Sequence, residues 1–238
     1  MVERDHCSDG GCELPDAAAN AEAAAPAAAS GTVLHYIYDP LCGWCYGAAP
    51  LLTAAREIDG LAIVLHGGGM MTGSNRRQVS TQLRSYVMQH DHRIAAMSGQ
   101  PFGEDYFNGL LLDTTAILDS EPPISAVLAA EAGSGSGLAM LARIQTAHYV
   151  QGLRVADAAV LRRLALELGL DAAQFDSAFA AQQGAATQAH IAASRALLNK
   201  VGGQGFPTFV LQRGEKLQTL DAGRFLGQAE AWKAALQG

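Results

Sequence analysis

Apolar and polar positions divide the chain into two ends that favour strands and a long middle section with helical spacing. The run Thr32–Tyr38 is short, apolar and rich in β-branched and aromatic residues, which predicts a buried strand. Residues 43 to about 60 follow a helical pattern, and residues 61–65 predict a second strand that three glycines, residues 67–69, close. Two strands joined by a helix predict a parallel β-α-β unit with a right-handed crossover.

The middle section, residues 75–202, is predicted to be a helical block. Leu161, Leu164 and Leu168 fall on one helix face, and Gly169 follows as a C-cap. Asp171 is positioned to start the next helix through its side chain.

The last section, residues 203–238, returns to strands and closes with a helix. Residues 208–211 and 216–220 predict the two strands of a hairpin. A final helix is predicted from about Arg224, with Trp232 and Leu236 on its apolar face. The pattern therefore predicts an α/β protein, in which a mixed sheet carries helices on its faces.

Composition and charge exclude several classes of protein. The chain has 238 residues, of which 49% are hydrophobic and 16% charged, as expected for one domain with a sizeable core. Its net charge is -7, and six acidic residues against one arginine place -5 of this within residues 1–30. Without a basic excess, no nucleic-acid partner is predicted. Without an apolar run of about 18 residues, no membrane span is predicted.

Residues 1–30 are predicted to be a flexible, low-complexity arm that precedes the first part of the domain, residues 31–74. Their acidic start and an alanine-rich stretch without Leu, Ile, Val or Phe do not match a secretory signal. A cytoplasmic location is expected, and the cytoplasm keeps thiols reduced.

Two cysteines lie where the first strand gives way to the first helix. Cys42 would start this helix, where unpaired N–H groups and the helix dipole favour a thiolate over a thiol. Cys45 would lie one turn later on the same side, more buried and within reach of a disulfide. An attacking thiolate with a second thiol beside it meets the requirement for thiol–disulfide exchange.

Other interpretations of the cysteines remain open. Cys7 and Cys12 could join Cys42 and Cys45 in a four-thiolate zinc site, although we predict no metal. Cys7 and Cys12 could also form a second redox pair, since Gly10 and Gly11 allow a local disulfide, or they could be incidental residues of the arm.

Pro207 precedes the third predicted strand, at a position that tolerates the missing N–H. X–Pro bonds are the main source of cis peptides, although trans is the usual form. A cis bond is preferred here only because of the cysteine pair.

These motifs together resemble a known family. The run Tyr38-Asp39-Pro40-Leu41-Cys42-Gly43-Trp44-Cys45-Tyr46-Gly47, with Gly99-Gln100-Pro101-Phe102-Gly103, resembles the thioredoxin superfamily, specifically DsbA-like proteins of the FrnE-like group of disulfide isomerases. The resemblance covers about residues 31–236. It implies a thioredoxin-like fold with a large helical insertion between the second and third strands.

The resemblance also implies roles for residues. Cys42 would be the nucleophile and Cys45 the resolving thiol, with Pro207 in cis against them. Phe206 and Pro207 would offer backbone to an extended substrate. Gly43 and Trp44 are expected to contact substrate as well.

The chain departs from the resemblance at two points. Many relatives carry a buried acid six residues before the nucleophile, where this chain has Tyr36, so the proton route to Cys45 stays open. No cation lies between the cysteines.

The triplet His90-Asp91-His92 is interpreted as an exposed helix end, with metal binding as the alternative.

The expected function is thiol–disulfide oxidoreduction or isomerisation on protein or small disulfides, with a cellular thiol as the reductant. No cofactor is expected beyond the Cys42–Cys45 disulfide, although glutathione is a possible one. One alternative is a glutathione-dependent kappa-type transferase or isomerase, which needs no second cysteine, so Cys45 argues against it. The other is a zinc-binding module without enzymatic activity.

Overall fold

The computed structural model describes residues 31–238 of the chain. It begins with the predicted β-α-β unit: strand β1 (Thr32–Tyr38), helices α1 (Gly43–Gly47) and α2 (Ala49–Ala55), and strand β2 (Leu61–Gly67). β1 and β2 are parallel, as predicted. The Cys7–Cys12 pair and the rest of the predicted arm lie outside the described residues.

The region between 43 and 60 holds two helices, where the sequence predicted one. Pro50 lies in the first turn of α2 and has no N–H to donate to the carbonyl of Tyr46, four residues earlier. The side-chain nitrogen of Gln100 donates to that carbonyl oxygen instead, at 3.2 Å. The break therefore couples the first helices to the run that contains Gln100.

The long insertion after β2 is mostly helical. It contains a small antiparallel sheet that the sequence analysis did not predict, formed by β3 (Arg77–Gln78) and β4 (Ile117–Leu118). The helices follow in the order α3 (Thr81–Ser98), α4 (Glu121–Ser134), α5 (Gly137–Tyr149), α6 (Ala158–Glu167), α7 (Ala172–Gln182) and α8 (Ala185–Lys200).

The chain closes with the predicted hairpin, β5 (Thr208–Arg213) and β6 (Lys216–Leu220), and with α9 (Ala229–Gln237). The four-stranded sheet has the order β2-β1-β5-β6, with β5 antiparallel to β1. The last helix was predicted to begin at about Arg224, which was wrong, because it begins at Ala229. Residues Ala222–Phe225 form a 3₁₀ turn, and Gly227 interrupts the chain with φ +75°, close to the carbonyl of Met97.

Aromatic residues fill the core on the face of the sheet that carries the first helices. Tyr36 packs on Phe209 with ring centres 4.7 Å apart, and Phe209 packs on Trp232 of α9 at 5.1 Å. All three side chains are fully buried. Among the residues that the structure describes, no helix is both long and apolar enough to span a bilayer.

Candidate active site

Cys42 and Cys45 lie at the start of α1, directly after the central strand β1. Cys42 is the N-cap residue, and Cys45 follows one turn later. Both are free thiols; Cys42 is 7% exposed and Cys45 fully buried. The prediction that Cys45 is the more buried of the two is confirmed.

The loop before β5 lies against Cys42. The Phe206–Pro207 peptide bond is cis. The Cys42 thiol donates a hydrogen bond of 3.4 Å to the carbonyl oxygen of Phe206. The structure therefore brings together Cys42, Phe206 and Pro207, which are far apart in the sequence.

Cys45 is held in an environment that disfavours its thiolate. Burial raises the pKa of the Cys45 thiol well above its usual value, and the neighbouring Cys42 raises it further. The backbone N–H of Asp39 donates to the Cys45 sulfur at 3.5 Å and acts in the opposite direction. Below it, the Tyr36 hydroxyl donates to the Cys45 carbonyl at 3.1 Å. A reaction that needs the Cys45 thiolate must therefore remove a firmly held proton.

Asp39 fixes the loop that leads to Cys42. Its carboxylate is fully buried and accepts hydrogen bonds from the N–H of Leu41, the N–H of Met70 and the hydroxyl of Ser120. Burial raises the pKa of Asp39, while the three donors lower it. One carboxylate thus ties the cysteine loop, the loop after β2 and the start of α4 to each other.

The glycine run after β2 is held from its other side by α8. Arg195 donates through Nε to the carbonyl of Gly68 at 2.7 Å and through a second nitrogen to Gly69 at 2.5 Å. His190 accepts from the N–H of Gly67 at 2.9 Å. None of these contacts was predicted. The sequence around Arg195 and His190 does not indicate that their side chains bind a glycine run so far away along the chain.

Trp44 is half-buried beside the cysteines, and the guanidinium of Arg93 in α3 lies over its ring at 5.7 Å from the centre. No positively charged side chain lies between the cysteines, but Arg93 brings one close to them, and it stacks on the Trp44 indole.

Aromatic side chains from the insertion pack against α1 at Tyr46. Tyr46 stacks on Tyr149 at 4.8 Å, and its hydroxyl donates to the carbonyl of Pro101 at 2.8 Å. Phe102 packs on the edge of Tyr46 at 5.3 Å. These contacts give a physical role to the Gly99–Gly103 motif, because it anchors the insertion on α1, the helix that Cys42 precedes.

The interpretation of His90-Asp91-His92 as an exposed helix end was wrong. The triplet lies inside α3, and Asp91 is buried against Gly43 of the cysteine motif, while His90 and His92 face solvent. Within residues 31–238, no group of three or more His, Cys, Asp or Glu is arranged to hold a metal ion. The alternative four-thiolate site needs Cys7 and Cys12, which fall outside that range.

Comparisons with known proteins give one family match and several structural matches. A model of the DsbA-like thioredoxin domain matches residues 33–229. The chain is 59% identical to the cytosolic disulfide reductase DsbM from Pseudomonas aeruginosa, with a TM-score of 0.82 over 86% of this chain and 97% of that chain.

Two further structures are similar. DsbM with GSH matches at 58% identity and a TM-score of 0.81, over 86% of this chain and 97% of that chain. A putative protein disulfide isomerase from Nitrosomonas europaea matches at 28% identity and a TM-score of 0.71, over 87% and 96%. A search of curated proteins found no match.

Proposed function

Because the chain belongs to the DsbA-like thioredoxin family and is a thiol–disulfide oxidoreductase, we propose that it works as a dithiol reductase of protein or small disulfides. In this proposal Cys42 attacks the substrate and Cys45 resolves the mixed disulfide. The contact of Cys42 with the carbonyl of Phe206, next to cis-Pro207, carries the proposal. A disulfide-containing segment that pairs with this backbone brings its sulfur to Cys42.

The proposed reaction has two exchange steps. The Cys42 thiolate attacks one sulfur of the substrate disulfide, so that a Cys42–substrate bond forms and the other substrate sulfur leaves as a thiolate that takes up a proton. Cys45 then loses its proton and attacks the Cys42 sulfur, which releases the second substrate thiol. The substrate gains two electrons and two protons, and the enzyme is left with a Cys42–Cys45 disulfide.

The motif itself supports a reducing direction. Strong dithiol oxidants owe their potential to a stabilised reduced form. Here Gly43 and Trp44 place no positive side chain between the cysteines, and the nearby Arg93 lies on the Trp44 ring. The motif therefore lacks one source of stabilisation of the reduced pair, and this favours the disulfide as product, as a reductase requires.

Glutathione is the proposed reductant that restores the dithiol. The 59% identical relative is described as a cytosolic disulfide reductase, and one of its structures contains GSH. Two glutathione molecules would reduce the Cys42–Cys45 disulfide and leave as glutathione disulfide. A cytoplasmic location, where reduced glutathione is abundant, is part of this proposal.

Thiol trapping in glutathione buffers of known potential tests the proposal. The full chain with Cys7→Ser and Cys12→Ser should show one reversible two-electron transition, with a midpoint in the range of cellular reductants. With a disulfide substrate, Cys45→Ser should accumulate a mixed disulfide on Cys42, whereas Cys42→Ser should form none. A midpoint in the range of strong oxidants would overturn the reducing direction.

The same variants separate the alternatives. A kappa-type glutathione transferase should keep its activity in Cys45→Ser, since it needs one thiol only. A zinc module should show no redox transition and should bind zinc through all four cysteines of the unmodified chain. Either result would contradict the dithiol mechanism.

A further inference from the structure

Asp91, which the dithiol mechanism does not use, lies directly against the cysteine motif. It is 3% exposed, and its Oδ1 fills the space beside Gly43, where an added Cβ would lie 2.6 Å from that oxygen. Ile94, about one turn later in α3, closes the same space at 3.0 Å. The insertion thus places a carboxyl group beside the residue that follows Cys42.

The two oxygens of Asp91 have different surroundings. The Tyr106 hydroxyl donates a hydrogen bond of 2.9 Å to Oδ2. Oδ1 faces the motif and accepts no hydrogen bond from the described part of the chain. One oxygen is therefore anchored by Tyr106, and the other lies beside Gly43, the residue that follows Cys42.

Asp91 can hold or release a proton near neutral pH. Burial raises the pKa of Asp91 from 3.8 to about 6, and the hydrogen bond from Tyr106 keeps it from rising further. Burial raises the pKa of the Tyr149 hydroxyl most strongly, and charges on Tyr106, Asp91, Cys42 and Cys45 raise it further.

Asp39 is also close to the cysteines, but both of its carboxylate oxygens already accept hydrogen bonds, from Leu41, Met70 and Ser120. The other titratable and charged groups around Asp91 come from several elements. They are Cys42 at the N-cap of α1, Cys45 in α1, Tyr106 from the turn Asp105–Gly109, His148 and Tyr149 from α5, and His90, His92 and Arg93 from α3 itself. Burial lowers the pKa of His148 to about 4, so it is neutral where Asp91 titrates. The guanidinium of Arg93 lies on Trp44.

We propose that Asp91 is the general base that takes the proton of an external thiol as this thiol attacks Cys42 in the Cys42–Cys45 disulfide. The inference rests on the proposed function, in which such a thiol restores the reduced pair. The S–H proton passes to Oδ1 of Asp91, and the thiol sulfur bonds to the Cys42 sulfur. The electron pair of the broken disulfide goes to Cys45. In this step Asp91 loses its negative charge as it gains the proton, and Cys45 gains one, so the total charge is conserved. Because burial disfavours the Cys45 thiolate, Cys45 then takes up a proton.

This role has a specific effect on the pH profile. Without a base, only the free thiolate attacks, so the rate rises about tenfold per pH unit below the pKa of the attacking thiol. With Asp91 as base, the neutral thiol reacts as well, and the rate levels off above about pH 6 until the free thiolate becomes the faster reactant. General bases contribute about 10²–10⁴-fold, so the difference is measurable.

The test is single-turnover reduction of the oxidised full chain by 2-mercaptoethanol between pH 5.5 and 9, in the Cys7→Ser, Cys12→Ser background. Asp91→Asn has nearly the same shape and cannot accept the proton. We expect it to lose at least about tenfold in rate at pH 6.5, almost nothing at pH 9, and the plateau altogether.

Two further variants separate this role from a structural one. Tyr106→Phe removes the hydrogen bond that lowers the pKa of Asp91, so the plateau should begin at higher pH. Asp105→Asn removes an exposed carboxyl beside Tyr106 and should keep the original profile. An equal loss at every pH in Asp91→Asn, or an unshifted profile in Tyr106→Phe, would refute the base. If thiols fail to reduce even the parent chain, the proposed function fails instead.

Discussion

Gly68 and Phe206 are packed so closely that no side chain fits between them. A Cβ added at Gly68 would lie 2.1 Å from Cε1 and 2.2 Å from Cζ of the Phe206 ring. The N–H of Gly68 also donates to the carbonyl of Tyr38, at the end of β1. The contact therefore sets the distance between the loop after β2 and the loop that presents the Phe206 carbonyl to Cys42.

Gly68→Ala should displace this second loop. We expect the free energy of unfolding to fall by about 1–3 kcal/mol, as overpacking usually costs, and disulfide reduction to slow because the Phe206 carbonyl moves away from Cys42. Denaturant unfolding and a disulfide-reduction assay measure both effects. Gly133→Ala is the matched control, since a Cβ there meets open space on α4. Wild-type stability and a wild-type reduction rate in Gly68→Ala would contradict this prediction, because they would show that the Phe206 ring moves aside without cost.

Asp39→Asn should destabilise the fold strongly. An amide NH₂ cannot accept a hydrogen bond, so one of the donors on Leu41, Met70 or Ser120 is left without its acceptor. We expect a loss of about 3 kcal/mol, and about 1 kcal/mol for Ser120→Ala, which removes one bond only.

Urea unfolding of the two variants gives these values, with the exposed Asp59→Asn as the control for the lost charge. If Asp39→Asn lowers the free energy of unfolding no more than Ser120→Ala does, the carboxylate does not hold the three segments together as its hydrogen bonds indicate.

One buried and two half-buried histidines should make the protein less stable in mild acid. Burial lowers the pKa of His66 and His148 to about 4 and also lowers that of His190. In the unfolded chain they take up protons near pH 6.5, so between pH 6.5 and 4 the unfolded state binds more protons. The free energy of unfolding therefore falls as the pH is lowered through this range. Asp91 opposes this, because its raised pKa makes the folded state the better proton acceptor between pH 6 and 3.8.

His148→Leu isolates one of these contributions. His148 is buried among aromatic rings, and its Nδ1 has no hydrogen-bond partner within the described residues. The variant should flatten the pH dependence of stability by up to about 1.4 kcal/mol per pH unit, the effect of one proton. Urea unfolding at several pH values measures the slope, and the exposed His90→Leu serves as control. An unchanged slope in His148→Leu would contradict the assignment.

Local patterns predicted the elements whose signals are local. The strand Thr32–Tyr38 has the predicted bounds, since β-branched and aromatic residues are concentrated there. Asp171 caps α7 as predicted, with its side chain accepting from the N–H of Gln174 at 2.8 Å. The cis bond before Pro207 was predicted only through its association with the cysteine pair.

Features that depend on distant contacts could not be predicted in the same way. The split between α1 and α2 depends on Gln100, which replaces the donor that Pro50 lacks. Asp91 lies between two exposed histidines, so its neighbours in sequence indicate a solvated face. Gly43 was a signal that something packs closely beside the motif, but a glycine does not show which residue this is.

The position of β1 between β2 and β5 has a consequence for how the protein is made. β2 leaves the ribosome soon after β1, but β5 follows only after the whole insertion has been synthesised. At usual elongation rates this delay is on the order of ten seconds or more. During that time Cys42 lacks the Phe206 carbonyl that later contacts it, so the nascent chain carries a thiol pair that the fold does not yet shield.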